Sequence, residues 1–163
     1  RYDLSIDYSW ETDGALETAG GIIQALPKLS QDDQPFLVVN GDVFLDYDFS
    51  DFPQLADSKL AHLWLVNNPV HNPSGDFSLN GNLLELIDET VNRPSYTFSG
   101  LGLYRPSFFN EFLSQKVMPL APVIKAGIAK GAVSAEVLSG LWTDVGTPQR
   151  LAQLNQELKQ SNV

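Results

Sequence analysis

Two carboxylates in this sequence stand beside glycine, each after a strand-like segment. Asp42 follows the apolar run 36–39, and Asp144 closes the last strand-like region two residues before Gly146. In an open α/β sheet, ligands gather at the carboxyl ends of the strands. Two oxygen ligands from separate strand ends can hold one Mg²⁺, which takes its remaining ligands from water and substrate phosphates. Each motif alone is a common turn, so the predicted metal site depends on the pair.

A pair of glycines inside a helix-like segment is the second candidate. Gly20 and Gly21 follow Glu17 in an amphipathic stretch. Glycine costs about 1 kcal/mol inside a helix, so a pair indicates that something approaches the backbone closely. A close helix-strand contact and a planar base lying on the glycine backbone explain the pair equally well.

Other chemistry has weaker support. Asp46 and Asp48 form a D-x-D triplet, which metal-dependent glycosyltransferases use, although such triplets arise by chance in an acidic chain. His62 stands in an apolar strand and is predicted to be a core or edge histidine with satisfied hydrogen bonds. His71 stands in a polar loop, where it could contact a substrate. The sequence has no P-loop, no complete dinucleotide fingerprint and no G-x-S-x-G nucleophile elbow.

Charge and composition narrow the partners of this chain of 163 residues. Its net charge is -10 without any Lys/Arg cluster, which argues against binding to nucleic acid or to an anionic membrane surface. No apolar run approaches the roughly 18 residues of a membrane span. Cysteine is absent, which excludes thiolate catalysis and suits a reducing compartment, so we expect a cytoplasmic protein. An acidic protein that handles phosphates needs local positive charge, and a divalent ion supplies it.

The elements that must position these residues alternate between strand-like and helix-like patterns. This alternation predicts one α/β domain over residues 1–163, with a mixed, mostly parallel sheet and helices on both faces. Asn80-Gly81 predicts an antiparallel hairpin between 77–79 and 83–87, and the runs 36–39 and 61–66 are predicted to be buried on both faces. Further strands are predicted at 3–8, 97–104, 133–137 and up to 144, and helices at 16–27, 53–59, 106–113, 119–131 and from 148 onwards.

Four segments in this order and spacing resemble the sugar-1-phosphate nucleotidyltransferases. These segments are residues 16–22, 37–42, 99–104 and 142–148, the last reading W-T-D-V-G-T-P. Within this family, residues 75–77, 97–100 and 120–122 are most similar to the bacterial uridylyltransferases that act on N-acetylmuramate 1-phosphate in cell-wall recycling. Mannose-1-phosphate guanylyltransferases are the next most similar group.

The resemblance implies a Rossmann-like fold and a Mg²⁺-dependent reaction of a nucleoside triphosphate with a sugar 1-phosphate. The products are a nucleoside diphosphate sugar and pyrophosphate, and UTP and N-acetylmuramate 1-phosphate are the specific expectation. Carried over by position, the family's catalytic metal ligands are Asp42 and Asp144. The nucleotide site consists of Glu17, Gly20, Gly21 and Asn40, and the sugar site of Gly75, Glu89 and Gly100. The sequence contains no pattern that indicates an oligomeric state.

The sequence departs from the family pattern in two places. The family's N-terminal glycine-rich loop and first strands have no counterpart, and the chain opens at Arg1. We therefore expect at least one further βαβ unit, on the order of 30 residues, before Arg1, without which the chain is inactive. The family lysine at the sugar phosphate is replaced by the stretch 88–90, so Arg93 or Lys116 would have to substitute. The two rival functions are a non-catalytic sugar-nucleotide-binding module and a glycosyltransferase that uses Asp46 and Asp48.

Overall fold

A computed structural model of the chain describes residues 4–12, 14–49 and 54–161. Within these ranges the chain forms three α-helices, one 3-10 helix and eight strands. The helices are α1 (Glu17–Leu29), the 3-10 helix (Pro106–Phe112), α2 (Leu120–Ala129) and α3 (Pro148–Ser161). The strands are β1 (Phe36–Val39), β2 (Val43–Leu45), β3 (Ala61–Val66), β4 (Phe77–Asn80), β5 (Leu83–Glu85), β6 (Ser95–Tyr104), β7 (Val133–Val137) and β8 (Trp142–Asp144).

Six strands form the main sheet in the order β1-β6-β3-β7-β5-β4, with a further pairing of β6 to β4. Among the described strands only β3 and β7 run parallel, and the other pairings are antiparallel. The expected mixed sheet is confirmed, but the expectation that it is mostly parallel is wrong for this part of the chain. The reason lies in β6, which follows the β4–β5 hairpin without an intervening helix and therefore returns antiparallel to its neighbours.

A two-stranded ribbon of β2 and β8 stands beside the main sheet. The strands are antiparallel, and Val43 lies opposite Asp144. The indole Nε1 of Trp142 donates a hydrogen bond of 2.8 Å to the Ser99 carbonyl of β6. This bond fixes the ribbon against β6.

The two faces of the main sheet are covered differently. One face packs against α1, α2 and the 3-10 helix through a core that includes Leu63, Tyr104 and Phe109. On the other face, Trp64, Leu101 and Leu103 pack with strand and loop residues in a cluster to which no described helix contributes. The expected helices on both faces are therefore not found in the described part of the chain. The remaining helix, α3, contacts β8.

The structure confirms several elements that were predicted from local sequence signals. The hairpin turns at Gly81, where φ is +62°, and α2 ends before Gly131, where φ is +63°. The Thr147 hydroxyl accepts a hydrogen bond of 3.2 Å from the Arg150 amide and caps α3 as expected. Pro27 lies inside the last turn of α1, which continues to Leu29. In the described ranges, no helix has the length and apolar character needed to traverse a bilayer.

Three local predictions are wrong for the described part of the chain. Residues 4–8 form no strand and expose the side chains of Leu4, Ile6 and Tyr8, since no described strand pairs with them; Asp3 lies outside the described residues. Residues 54–59 contain turns instead of a helix, and Pro53 lies outside the described residues. β1 pairs only with β6 among the described strands, so it is a half-buried edge, and the expected burial on both faces is not observed.

Candidate active site

The β2–β8 ribbon brings the two predicted carboxylates together. β2 begins directly after Asp42, and β8 ends with Asp144. The Val145 amide donates a hydrogen bond of 2.7 Å to the Asp42 carbonyl, which joins the two segments at this end of the ribbon. Asp42 is exposed, and the Asp144 side chain is 25% exposed. Positions that are 102 residues apart in sequence are thus neighbours at one edge of the fold.

Asp144 is the centre of a charged cluster that consists of Asp144, Arg150 and His71. Nη1 of Arg150 lies 3.0 Å from Oδ2 of Asp144, and Nε2 of His71 lies 3.3 Å from Oδ1. The same Nη1 atom is 3.1 Å from His71 Nε2. Sequence reasoning identified His71 only as a loop residue and missed Arg150. The signal for Arg150 was its place in the first turn of α3, directly after the motif that contains Asp144.

Asp144 together with the neighbouring Asp42 offers the two carboxylates that a magnesium ion commonly takes from a protein. Oδ1 of Asp144 is buried and has no hydrogen-bond partner among the described residues, so it retains its capacity as an acceptor. No group of three or more acidic, histidine or cysteine side chains in the described part of the chain is arranged around one metal position. Mg²⁺ commonly takes only one or two protein carboxylates and completes its shell with water and phosphate oxygens.

A cavity of about 560 Å³ lies between α1, β4, β6 and α2, with Asn40, the residue after β1, in its wall. We refer to it as the α2 cavity; it is lined by Thr18, Asn40, Gly75, Asp76, Phe77, Phe98, Pro119, Leu120, Ala121, Ile124 and Lys125. Asn40 forms part of its wall, and Asp42 follows two residues later. The cavity and the carboxylate pair therefore adjoin through one tight turn.

Asn40 and Gly100 are in close contact at this wall. The Asn40 amide donates a hydrogen bond of 2.9 Å to the Gly100 carbonyl. Gly100 has φ +82°, and a Cβ atom there would lie 2.9 Å from Nδ2 of Asn40. Glycine is required at this position both by the backbone conformation and by the approach of the asparagine. Asn40, predicted for the nucleotide site, and Gly100, predicted for the sugar site, thus lie side by side.

The loop 67–76 forms another wall of the α2 cavity, and its polar side chains bond to one another and to β6. Asp76 accepts hydrogen bonds from the Phe98 amide at 2.8 Å and from the Asn72 side chain at 3.1 Å. Nδ2 of Asn72 also lies 3.1 Å from the Thr97 hydroxyl, which donates to Oδ1 of Asn68 at 3.0 Å. Sequence reasoning missed this network, for which the only signal was the asparagine-rich composition of the loop.

Gly75 lies in this loop with φ +68°. A Cβ atom there would lie 2.7 Å from Oδ1 of Asn68 and 2.9 Å from the Tyr96 carbonyl. The backbone of Gly75 can therefore face the cavity only because the residue has no side chain.

The glycine pair of α1 has two different environments. Gly20 is buried: a Cβ atom would lie 2.7 Å from the Lys116 carbonyl, and the Gly20 amide donates to the Met118 carbonyl at 3.0 Å. Close packing explains Gly20 without a nucleoside, and its predicted binding role stays a prediction. Gly21 and Glu17 line an open groove of about 640 Å³ between α1 and the edge strand β1.

Glu89 lies away from the other predicted sugar residues. It lines a different cavity, together with Arg93, and Arg93 forms an ion pair with Glu85. Neither Arg93 nor Lys116 lines the α2 cavity, whereas Lys125 does. The structure therefore brings Asn40, Gly75 and Gly100 together but does not bring Glu89 to them.

Two further candidates lie outside this site. Asp46 and Asp48 follow β2, at the opposite end of that strand from Asp42, and the Asp46 amide donates to the Leu141 carbonyl at 2.8 Å. Nδ1 of His62 lies 2.9 Å from the Ser134 hydroxyl, but its Nε2 is buried without a hydrogen-bond partner among the described residues. His62 is thus only half satisfied, contrary to expectation. Burial lowers the pKa of His62, and Glu136 partly opposes this shift.

The chain belongs to the nucleotidyl transferase family, whose sequence profile matches residues 1–161. This confirms the resemblance stated from the sequence motifs. The chain is 49% identical over 162 residues to the N-acetylmuramate alpha-1-phosphate uridylyltransferase of Neisseria meningitidis serogroup B, with 93% of this chain and 66% of the relative covered. It is 28% identical over 156 residues to the mannose-1-phosphate guanyltransferase of Hypocrea jecorina, with 91% of this chain and 43% of the relative covered. The chain thus spans less than two thirds of the length of these relatives.

Solved structures of the same fold support the architecture. A chain from Bacillus anthracis described as a glucose-1-phosphate thymidylyltransferase superposes with a TM-score of 0.69 at 18% identity. The superposition covers 89% of this chain and 62% of that one. The Rossmann-like nucleotidyl transferase fold is therefore confirmed, although the described sheet is mostly antiparallel.

Proposed function

We propose that the protein transfers a uridylyl group from UTP to N-acetylmuramate 1-phosphate, giving the UDP-sugar and pyrophosphate. The observation that carries this proposal is the carboxylate pair Asp42 and Asp144, which adjoins the glycine-walled α2 cavity through the turn at Asn40. The identity of 49% to a relative with that substrate in its name favours these substrates over other members of the family.

The reaction is an in-line displacement at the α-phosphorus of the nucleotide. An oxygen of the sugar phosphate forms a new bond to this phosphorus, and the bond from phosphorus to the oxygen bridging to the β-phosphate breaks. The electron pair of that bond leaves with pyrophosphate. Such a transfer depends on positioning and charge neutralisation more than on proton transfer, which fits a site with carboxylates and glycines and no dedicated base.

Asp42 and Asp144 would hold the Mg²⁺ ion that the family resemblance implies. When bound, the ion supplies positive charge against the phosphate oxygens. Arg150 holds one oxygen of Asp144 at 3.0 Å and so orients this carboxylate from the first turn of α3. Nε2 of His71, from the loop 67–76, lies 3.3 Å from the other oxygen and 3.1 Å from Nη1 of Arg150, so this loop contacts the carboxylate centre.

The two cavities divide the substrates between them. The α2 cavity, with Asn40 and Gly75 in its wall, accommodates the sugar because small residues let a pyranose ring approach the backbone. The groove lined by Glu17 and Gly21 borders the nucleoside. Thr18 lines both and stands at their junction.

The test is Mg²⁺-dependent release of pyrophosphate by the protein of the complete reading frame. UTP with N-acetylmuramate 1-phosphate is compared with GTP and mannose 1-phosphate. We expect release with the first pair only. Release with the second pair alone would replace the proposed substrates by those of a mannose-1-phosphate guanylyltransferase. Tight binding of UDP-sugars without release from either pair would favour a non-catalytic sugar-nucleotide-binding module.

A further inference from the structure

The α2 cavity contains one cation among its described lining residues, Lys125, in the second turn of α2. This side chain forms no ion pair or hydrogen bond with the described residues. Lys130, at the end of the same helix, instead pairs with Glu111 at 2.6 Å. Lys125 is thus a free ammonium group at the rim of a substrate-sized cavity.

Asp76 is the one carboxylate among the described lining residues, and its charge is stabilised without Lys125. Both oxygens of Asp76 already accept hydrogen bonds, one from the Phe98 amide and one from Asn72. Hydrogen bonds to a carboxylate stabilise its charge in place. The positive charge of Lys125 therefore remains available for a ligand.

Apolar residues make up much of the cavity wall that carries Lys125. Ala121 precedes it by one helical turn, and Phe77, Phe98 and Leu120 contribute to the same wall. The first turn of α2 carries no acidic residue. A chain with net charge -10 repels anions at long range, so an acidic ligand group needs a local cation such as this one. A carboxylate that carries a small apolar group matches this combination.

Lys125 lines the α2 cavity, whereas neither Asp42 nor Asp144, the two carboxylates proposed to meet the phosphates, is among its lining residues. α2 packs against α1, the 3-10 helix and β7. The 1-phosphate of the sugar must reach the carboxylate pair for transfer to occur. Lys125 is therefore left to contact a different part of the sugar.

We propose that Lys125 selects sugars with a carboxylate substituent by forming an ion pair with the lactyl carboxylate of N-acetylmuramate. This inference rests on the proposed function and adds to it a residue that determines specificity. The lactyl methyl group packs against the apolar wall near Ala121, and the carboxylate meets the ammonium group.

The first test measures binding of unphosphorylated sugars to the protein of the complete reading frame by titration followed by NMR. N-acetylmuramate and N-acetylglucosamine differ only in the lactyl group, and neither carries a phosphate. We expect N-acetylmuramate to bind about tenfold more tightly, as for one charged hydrogen bond. Lys125→Met should abolish this difference, and Lys125→Arg should retain part of it. Lys130→Met serves as the matched control and should retain the whole difference.

The second test uses the protein of the complete reading frame and compares the 1-phosphates of the same two sugars. Lys125→Met should raise KM for N-acetylmuramate 1-phosphate about tenfold, leave its kcat unchanged and leave turnover of N-acetylglucosamine 1-phosphate unaffected. Equal losses with both sugars would assign Lys125 to the phosphate and overturn the inference.

The two proposals fail in different ways. If no nucleotide pair gives pyrophosphate but preferential binding of N-acetylmuramate still depends on Lys125, the proposed reaction fails and the inference about recognition stands. If the wild-type protein binds the two free sugars equally tightly, the inference is overturned whatever the pyrophosphate assay gives.

Discussion

The loop 67–76 and the Asp144 cluster border the same site, but their polar atoms are satisfied to different degrees. In the loop, Asn72 and Asp76 bond to each other and to β6, and the Thr97 hydroxyl donates to Asn68. In the cluster, Oδ1 of Asp144 and Nε of Arg150 are buried without hydrogen-bond partners among the described residues. Buried polar atoms are ordinarily paired, so an unpaired set at a cleft indicates a place where a ligand completes the bonding.

This difference indicates that the two regions have different roles in binding and transfer. A loop whose side chains bond to one another is a preformed wall, and its shape changes little when a sugar binds. Asp144 is different, because Oδ2 is paired with Arg150 while Oδ1 has His71 at 3.3 Å but no hydrogen bond from the described residues, so a cation or a substrate can complete its bonding. Specificity for the sugar should therefore depend on the loop and α2, and the rate of transfer on the carboxylates.

The largest effect is expected at the carboxylates. Asp42→Asn or Asp144→Asn should each lower turnover by about a thousandfold or more, because the site loses a negative ligand for the ion. The thermal unfolding midpoint should change little for the exposed Asp42. Steady-state pyrophosphate release measures the first quantity, and calorimetry the second.

Asp46→Asn is the matched control for these variants, since it removes an acidic group from the other end of β2. It should retain full turnover. Loss of metal binding in Asp46→Asn and Asp48→Asn, with Asp42→Asn active, would instead support the glycosyltransferase alternative.

A smaller effect, on stability, is expected at the glycine of the preformed wall. Gly75→Ala must adopt φ +68° with its Cβ atom 2.7 Å from Asn68, so both strain and overlap destabilise the fold, together by about 3 kcal/mol. Gly81→Ala has nearly the same φ, +62°, with nothing within 4 Å of the added atom. It should therefore lose only the strain, about 1 kcal/mol. Equal urea midpoints for the two variants would contradict the close approach at Gly75.

The charge of Asp76 offers a test of the loop network. Asp76→Asn weakens the bond from the Phe98 amide and should cost about 1 kcal/mol of unfolding free energy, because the side chain is exposed. Asn72, whose side chain also bonds to this carboxylate, is a neutral amide, so it does not replace the charge that Asp76→Asn removes. Hydrogen exchange of the Phe98 amide should rise in this variant. Unchanged exchange would show that the wall does not depend on this bond.

His62 tests whether an unsatisfied buried atom outside the site also matters. Burial lowers the pKa of His62, so the folded state favours the neutral ring and the unfolded state binds the proton first on acidification. Stability should therefore fall as the pH drops from about 6.5, the ordinary histidine value, through the lower folded-state pKa. His62→Gln should flatten this part of the profile of unfolding free energy against pH.

The smallest effect is expected at Tyr104, whose hydroxyl is buried without a hydrogen-bond partner in the described part of the chain. Burial raises the pKa of this phenol well above its usual value. Removing an unsatisfied buried hydroxyl relieves its desolvation cost, so Tyr104→Phe should be neutral or slightly stabilising. Urea denaturation measures this, and a clear loss of stability would indicate a partner for the hydroxyl.

The sequence by itself determined the family and most elements, and it predicted the carboxylate pair. The Asn80-Gly81 hairpin, the stop at Gly131 and the cap at Thr147 are local signals, readable from turn and capping chemistry. Asp42 and Asp144 were identifiable because each lies at or just after the end of a strand-like segment and close to a glycine. Such patterns involve neighbours in sequence, and the backbone conformations they require are nearly independent of the rest of the fold.

Only the tertiary structure decided the strand directions, the packing around Gly20 and the surroundings of Asp144. His71 and Arg150 meet although they are 79 residues apart, and no local pattern encodes that contact. The same holds for Lys125, whose place in the α2 cavity depends on how α2 packs against the sheet, and for Glu89, which lies in a different cavity. These features follow from long-range pairing of strands and from helix packing, in which each contact depends on all the others being formed.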